Sequence, residues 1–320
     1  MNQYTLVTGG AGFIGSHLVD ALISKGEKVI VVDDLSTGEL NNIRFKEKII
    51  FIQGNISHHE TVNNLFAEYK ITKIFHHAAV ASVQKSIESP LETHSVNQYS
   101  TLLLLEAARK QKFFERFVYA SSAAIYGNQS TLPVSESFSV NPLSPYAIDK
   151  YASEQYALAY YRMYGVPTVV LRYFNVYGPR QNGNSPYSGV ISILSDRFLK
   201  SISGEDPTFN IYGDGEQTRD FIYVQDVVQA NILVASKTEA IGQVFNVGSG
   251  KQTSLNQLIS IYHNITGSNI HVRYCSERKG DIKHSCANIA RLEKLGFKLK
   301  YSIQDGLYEY WSELRKGERF

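Results

Sequence analysis

The segment Leu6-Val7-Thr8-Gly9-Gly10-Ala11-Gly12-Phe13-Ile14-Gly15 runs an apolar strand straight into glycines at 9, 12 and 15 and then into an apolar helical pattern. Each glycine has its own steric reason. Gly9 permits a tight turn out of the strand, and Gly12 lets backbone amides approach a pyrophosphate. Gly15 lets the helix pack on the strand with its N-terminal dipole toward the phosphates. A second strand, Lys28-Val29-Ile30-Val31-Val32-Asp33, ends in an acid about 20 residues on, the spacing of a βαβ dinucleotide site. Asp33 is expected to hydrogen-bond ribose hydroxyls and to repel a 2′-phosphate, which favours NAD over NADP; Asp34 is the neighbouring candidate.

Strand-like runs recur at 4–8, 28–33, 49–53, 73–77, 116–121 and 168–173, with amphipathic helical patterns between most of them. This alternation predicts an α/β fold, a Rossmann-like doubly wound parallel sheet. After about residue 176 the Gly-, Asn- and Pro-rich stretch from Gly178 to Pro186 leads into helix, turns and short strand-like pieces at 208–212, 219–224 and 243–247. The expected organisation is an NAD-binding domain over 1–176, with parts of 219–247 added to it. A smaller, interleaved C-terminal α/β lobe over 177–320 would roof the crevice at the carboxyl ends of the strands.

Composition narrows the function. Lys and Arg total 32 against 30 Asp and Glu, with no basic run, so nucleic acid is not an expected partner. Cys275 and Cys286 are the only cysteines, too few for a disulfide framework or a zinc motif, which points to a reducing cytoplasm. The first strand begins almost at Met1, leaving no room for a signal peptide, and no apolar run is long enough to span a membrane. The pairs His58-His59 and His76-His77 lack neighbouring ligands at metal spacing, and adjacent strand residues point to opposite faces, so no metal is expected.

A second constellation carries chemistry. The strand Phe117-Val118-Tyr119-Ala120-Ser121-Ser122 ends in two hydroxyls, and Ser144-Pro145-Tyr146-Ala147-Ile148-Asp149-Lys150 follows. Pro145 suits a helix start, and the four-residue spacing then stacks Tyr146 and Lys150 on one helix face. A phenol with a reference pKa of about 10 is a poor base at neutral pH, but a close ammonium and a nicotinamide cation both favour the phenolate. Tyr146 is therefore the expected base, with Ser122 sharing a substrate oxygen. With 21 tyrosines in the chain, the Tyr-Lys spacing alone would mean little; its setting gives it weight.

Together, Gly9 to Gly15, Ser122, Tyr146 and Lys150 resemble the extended short-chain dehydrogenase/reductases, and the resemblance to nucleotide-sugar epimerases runs over essentially the whole chain. His77-Ala78-Ala79-Val80-Ala81-Ser82-Val83 resembles that family's fourth-strand motif, Asn97 its helix asparagine, and Leu171 to Gln181 its turn into the substrate lobe. The resemblance implies that Phe13, Ile14, Asn55, Ile56, Ala78, Ala79, Asn97 and Tyr173 join the glycines, Asp33, Tyr146 and Lys150 around NAD. It implies a UDP-sugar held by Ser82, Ser122, Tyr146, Asn175, Val190, Tyr212, Arg219, Arg278, Asp281 and Ser285. Tyr212 would stack on uracil, Asp281 hold the uridine ribose, and Arg219 and Arg278 fork onto the diphosphate, whose oxygens match guanidinium geometry. The alternative for the two arginines is that they are surface charges or pair with Asp220 and Asp281. Where the family has an aspartate facing the adenine amino group, Asn55 stands, and its carbonyl is expected to serve as acceptor.

Departures from sister enzymes narrow the reaction. Dehydratases and decarboxylases of this resemblance carry an acid two residues before the tyrosine of Ser121-Ser122-Ala123-Ala124-Ile125-Tyr126-Gly127, where this chain has Ala124. Asn182 follows Gly178-Pro179-Arg180-Gln181 where UDP-glucuronate epimerases tend to carry an arginine. Ser285 stands where a bulky tyrosine narrows the sugar pocket in glucose-restricted epimerases. The resemblance therefore implies an NAD-dependent UDP-hexose 4-epimerase for UDP-N-acetylglucosamine and UDP-N-acetylgalactosamine, and also for UDP-glucose and UDP-galactose. The rivals are a decarboxylase or 4-epimerase of a UDP-sugar acid and a non-catalytic NAD-sensing module. A homodimer is implied through the helices near His94 and Pro145, although Tyr151, Tyr156, Tyr160 and Tyr161 could equally be internal core.

Overall fold

In the computed structural model, residues 2–181, 189–277 and 282–316 are described. The first half runs β1 (Gln3–Thr8), α1 (Phe13–Ser24), β2 (Val29–Asp33), β3 (Ile49–Gln53), α2 (His59–Glu68) and β4 (Lys70–His76). It continues through α3 (Val83–Glu88), α4 (Pro90–His94), α5 (Ser100–Arg109), β5 (Arg116–Ser122), α6 (Pro145–Tyr164) and β6 (Thr168–Tyr173). Next come β7 (Asn175–Tyr177), α7 (Val190–Ile202), β8 (Thr208–Tyr212), β9 (Thr218–Arg219), β10 (Phe221–Tyr223) and α8 (Val224–Ser236). The chain ends with β11 (Val244–Val247), β12 (Thr253–Ser254), α9 (Leu255–Thr266), β13 (His271–Cys275), α10 (Ala290–Lys294) and α11 (Ile303–Arg315).

Seven parallel strands form one sheet in the order β11-β6-β5-β4-β1-β2-β3. Strand order reverses between β1 and β4, and that switch point opens the crevice. Every residue of β2 is buried because helices cover both faces, which explains its unbroken apolar run. The two-residue period divides the strands between two cores: Val7, Val31 and Val118 pack with α1 and α8, while Leu6, Ile30 and Phe117 pack with α2, α5 and α6. A third core gathers Leu194, Phe198, Ile211, Leu258, Tyr262 and Trp311 from α7, β8, α9 and α11. No helix among the described residues is long and apolar enough to cross a membrane.

The single strand expected at 219–224 is a correction. β9 pairs antiparallel with β12, β10 pairs parallel with β7, and α8 already begins at Val224. The chain changes partner at Asp220, which is fully buried. Its carboxylate accepts the amides of Ser249 (2.6 Å), Gly250 (3.0 Å) and Ala287 (2.9 Å) and the Ser249 hydroxyl (2.7 Å). It is therefore not an ion-pair partner waiting for Arg219.

Candidate active site

At the start of α1 the glycines are dictated by contact. Gly9 has φ +67°, and a Cβ there would lie 2.6 Å from the Ala78 amide nitrogen; a Cβ on Gly15 would collide with the Gly9 carbonyl. Gly12 is the N-cap and offers no side-chain acceptor, so the first-turn amides are left for an anion. Phe13 and Ile14 pack against the third core. Asp33 plays a part the sequence reading did not assign: its carboxylate accepts the amides of Ala11 and Leu35, both at 2.9 Å, and so clamps the glycine turn. Burial pushes this carboxyl up, and the backbone amides pull it back. Asp34 beside it is exposed.

The expectation for Asn55 is also altered. Its carbonyl already accepts the Ser57 amide (2.9 Å) and hydroxyl (2.7 Å), and its amide donates to Asp34 at 3.3 Å, so both lone pairs are engaged in the turn. Ile56 is core. Ala78 donates its amide to the Thr8 hydroxyl at 3.3 Å, and Ala79 is half-buried in the same loop. Asn97 lies in a π-helical turn, Ser95–Tyr99, and holds that loop by accepting from Val80 N (2.7 Å) and donating to Val80 O (3.1 Å). Tyr173 is locked in place, its hydroxyl hydrogen-bonded to Asn231 and, at 3.0 Å, to His77 Nε2.

Ser122 ends β5, and α6 starts as the sequence dictates, with Ser144 as N-cap accepting from Ala147 N (3.2 Å) and Pro145 in the first turn. Tyr146 and Lys150 share a face of α6, and Ser122 at the end of β5 is close enough to act on the Tyr146 phenol. Lys150 Nζ donates to Ala120 O at 2.9 Å and stands 6.0 Å from the Tyr146 ring centre. Burial pushes the Tyr146 phenol up, and Ser122 pulls it back down. Burial also lowers the Lys150 ammonium to about 8.

A cavity of about 200 Å³ opens beside Ser122, and Tyr173, Asn175, Arg219 and Ser285 line it. Arg219 also donates to Thr218 O at 2.9 Å. Of the other expected substrate residues, Ser82 caps α3 by accepting from Lys85 N (3.0 Å), Val190 begins α7, and Tyr212 ends β8, half-exposed, away from the cavity lining. Arg278, Asp281 and Asn182 lie outside the described residues. Gln129, Val134, Phe174 and His284 line the cavity without having been singled out. Tyr126-Gly127 flanked the motif already read, but nothing in the spacing marks Gln129 or Val134 as neighbours of residue 285.

A glycine turn at a sheet's switch point, clamped by an acid, with Ser, Tyr and Lys converging beside it, defines an NAD-dependent enzyme of the Rossmann class. Residues 5–248 match the NAD dependent epimerase/dehydratase family, and the chain belongs to it, within the branch of NAD-using UDP-sugar 4-epimerases. The structure resembles UDP-glucose 4-epimerase from Thermotoga maritima, solved with UDP-glucose, with a TM-score of 0.92, 39% identity and 99% of each chain covered. It also resembles UDP-N-acetylglucosamine 4-epimerase from Methanobrevibacter ruminantium, solved with UDP-N-acetylmuramic acid, with a TM-score of 0.89, 39% identity and 99% of each chain covered. A UDP-glucuronate 4-epimerase from Thermodesulfobacterium geofontis is 35% identical, covering 95% of this chain and 94% of its own.

Proposed function

We propose that the chain epimerises neutral UDP-hexoses at C4, interconverting UDP-N-acetylglucosamine and UDP-N-acetylgalactosamine and also acting on UDP-glucose and UDP-galactose. The observation that carries this is the cavity wall, where Ser285, Ala123 and Ala124 are small side chains that would accommodate a 2-acetamido group, and where no carboxylate is among the described lining residues. NAD, when bound, supplies reversible hydride acceptance. Gly9, Gly12 and Gly15 would admit its pyrophosphate, and Asp33 would hold the turn beneath it. In this reading Tyr146 removes the C4 hydroxyl proton and later returns it, Ser122 orients O4, and Lys150 fixes the nicotinamide ribose. Arg219, with Arg278, Asp281 and Tyr212, grips the nucleotide, so the 4-keto sugar is free to turn and present its other face.

The test is separate incubation with UDP-N-acetylglucosamine, UDP-glucose, UDP-glucuronate and UDP-N-acetylglucosaminuronate, with products followed by NMR and mass. A C4 epimer of unchanged mass from the N-acetylated neutral sugar supports the proposal. Turnover of an acid substrate alone, or loss of carbon dioxide, overturns it in favour of a sugar-acid enzyme. We further propose a homodimer through α4 and α6, whose Leu91 is 85% exposed and Ile148 53% exposed. A monomer by light scattering would refute that part.

A further inference from the structure

Beneath the reactive hydroxyls lies a buried ion pair that the chemistry above leaves unused. Glu154 follows Tyr146 and Lys150 along one face of α6, and it is 0% exposed; Arg172 on β6 is 4% exposed. Arg172 Nε donates to Glu154 Oε2 at 3.0 Å and its Nη2 to Oε1, the two-pronged geometry that a guanidinium fixes in direction. Ser121, next to Ser122, donates to the same carboxylate at 3.0 Å. The third nitrogen, Nη1, donates to the Tyr126 hydroxyl (2.7 Å) and to Glu136 O (3.2 Å). Tyr126 in turn donates to Asn246 Oδ1 at 2.7 Å, and Asn246 donates to Val134 O at 2.8 Å.

The register turns this network outward. Ser121 pairs with Arg172 across β5 and β6, so the next pair is Ser122 with Tyr173, and both line the cavity, as do Tyr126 and Val134. Four residues of the cavity wall, Ser122, Tyr126, Val134 and Tyr173, are therefore tied to one ion pair. Such a pair adds little stability over an apolar replacement, so its value here is geometric.

We propose that Glu154 and Arg172 are positioning residues that set the separation of Ser122 from Tyr146. This rests on the epimerase reading of those two hydroxyls. The variants are Glu154→Gln, which keeps shape and removes charge, and Tyr126→Phe, which removes one hydroxyl and spares the fold if Glu154→Gln does not. Both are assayed with NAD bound for kcat and KM on UDP-N-acetylglucosamine. The Tyr146 phenol is titrated by NMR of 13Cζ-labelled tyrosine, assigned with Tyr146→Phe. Ser122 on β5 acts on that phenol directly; the titratable groups around it are Tyr119 on β5, which couples to Tyr146 and to Glu154 on α6, and Lys150 on α6, which couples to His76 and His77. Expected are a kcat lower by about 10- to 100-fold in Glu154→Gln, a KM within about twofold, and an upward-moved Tyr146 titration as Ser122 draws away from the phenol it pulls down; Tyr126→Phe shows the same pattern more weakly. A lower Tm with kcat or the titration unchanged in a folded variant overturns the proposal. If the parent turns over no UDP-hexose, the epimerase reading fails by itself. The titration then decides the positioning role alone: a moved midpoint sustains it and an unmoved one overturns it.

Discussion

At the glycine-rich end of the crevice the walls are backbone: Gly9, Gly12 and Gly15 meet carbonyls and amides, and the turn is shaped by Asp33, which accepts the amides of Ala11 and Leu35, and by Asn42, which donates to Ala11 O. At the cavity end the walls are side chains from the close of β5, the loop through Gln129 and Val134, the β6–β7 junction, Arg219 and the stretch 282–285. These distant pieces are held by buried polar groups, Asp220 and Asn246 among them. A backbone-built site depends on a few residues at fixed spacing, whereas a side-chain-built one depends on contacts that only folding creates. The two ends should therefore fail separately.

The largest effect is expected at the seam between them. Tyr146→Phe should lower kcat by about 10²- to 10⁴-fold, the usual worth of a general acid–base group, while NAD content and UDP affinity hold. Full activity in that variant would sink the mechanism. Acid comes next. His17 on α1 and His76 and His77 at the end of β4 are held neutral by burial, with His17 lowered to about 3 and His77 to about 4. Their folded pKa values lie below the unfolded value of about 6.5, so the stability they contribute is complete above pH 6.5 and is lost as pH falls toward the folded values. Between pH 7.5 and 5.5 the unfolding free energy should drop, by about 1 kcal/mol for each neutral imidazole, read from urea midpoints. A flat profile would mean that the glycine-rich end is not closed around neutral imidazoles.

The contrast itself is tested by a matched pair. In Gly15→Ala the new methyl meets the Gly9 carbonyl, which belongs to the turn and has nowhere to go; NAD affinity should fall by about 2–3 kcal/mol, with UDP affinity kept. Asp220→Asn turns an acceptor into a donor facing the Gly250 and Ala287 amides, and should lower UDP affinity by about 1.5–2 kcal/mol with NAD kept. Calorimetric titration of both ligands against both variants reads this directly. If either substitution weakens both ligands equally, the two ends are not separate.

The same division explains what could be read in the chain. The glycine turn, six parallel strands and the α6 start at Pro145 follow from local spacing and apolar pattern, and these elements fall where that pattern put them, except that β4 starts at Lys70, before the expected 73. The clamp made by Asp33 was not legible, because an acid at the end of β2 looks the same whether it meets ribose or amide. The break at Asp220 was hidden inside an apolar, strand-like run, since nothing local says that Ser249 and Ala287 will converge there. Val134 reaches the cavity through the Asn246 network, 112 residues away in sequence, whereas Gln129 is set there by its amide donating to Tyr126 O and Ser139 O.

Ser285→Tyr gives the smallest and most selective effect. The cavity is about 200 Å³, and a phenol in place of the hydroxymethyl would fill the part of the wall shared by Ser285 and His284. An acetamido group occupies more of that space than a hydroxyl, so kcat/KM for UDP-N-acetylglucosamine should fall about tenfold or more relative to UDP-glucose, in keeping with what steric exclusion by a pocket wall can achieve. Equal losses on both sugars would show that residue 285 bears on the nucleotide or on the fold and not on the sugar, moving the selectivity of the cavity to its Ala123 and Ala124 side. An unchanged ratio with unchanged rates would place the sugar away from Ser285 altogether, and the side-chain-built end would then have to be redrawn around Gln129 and Val134.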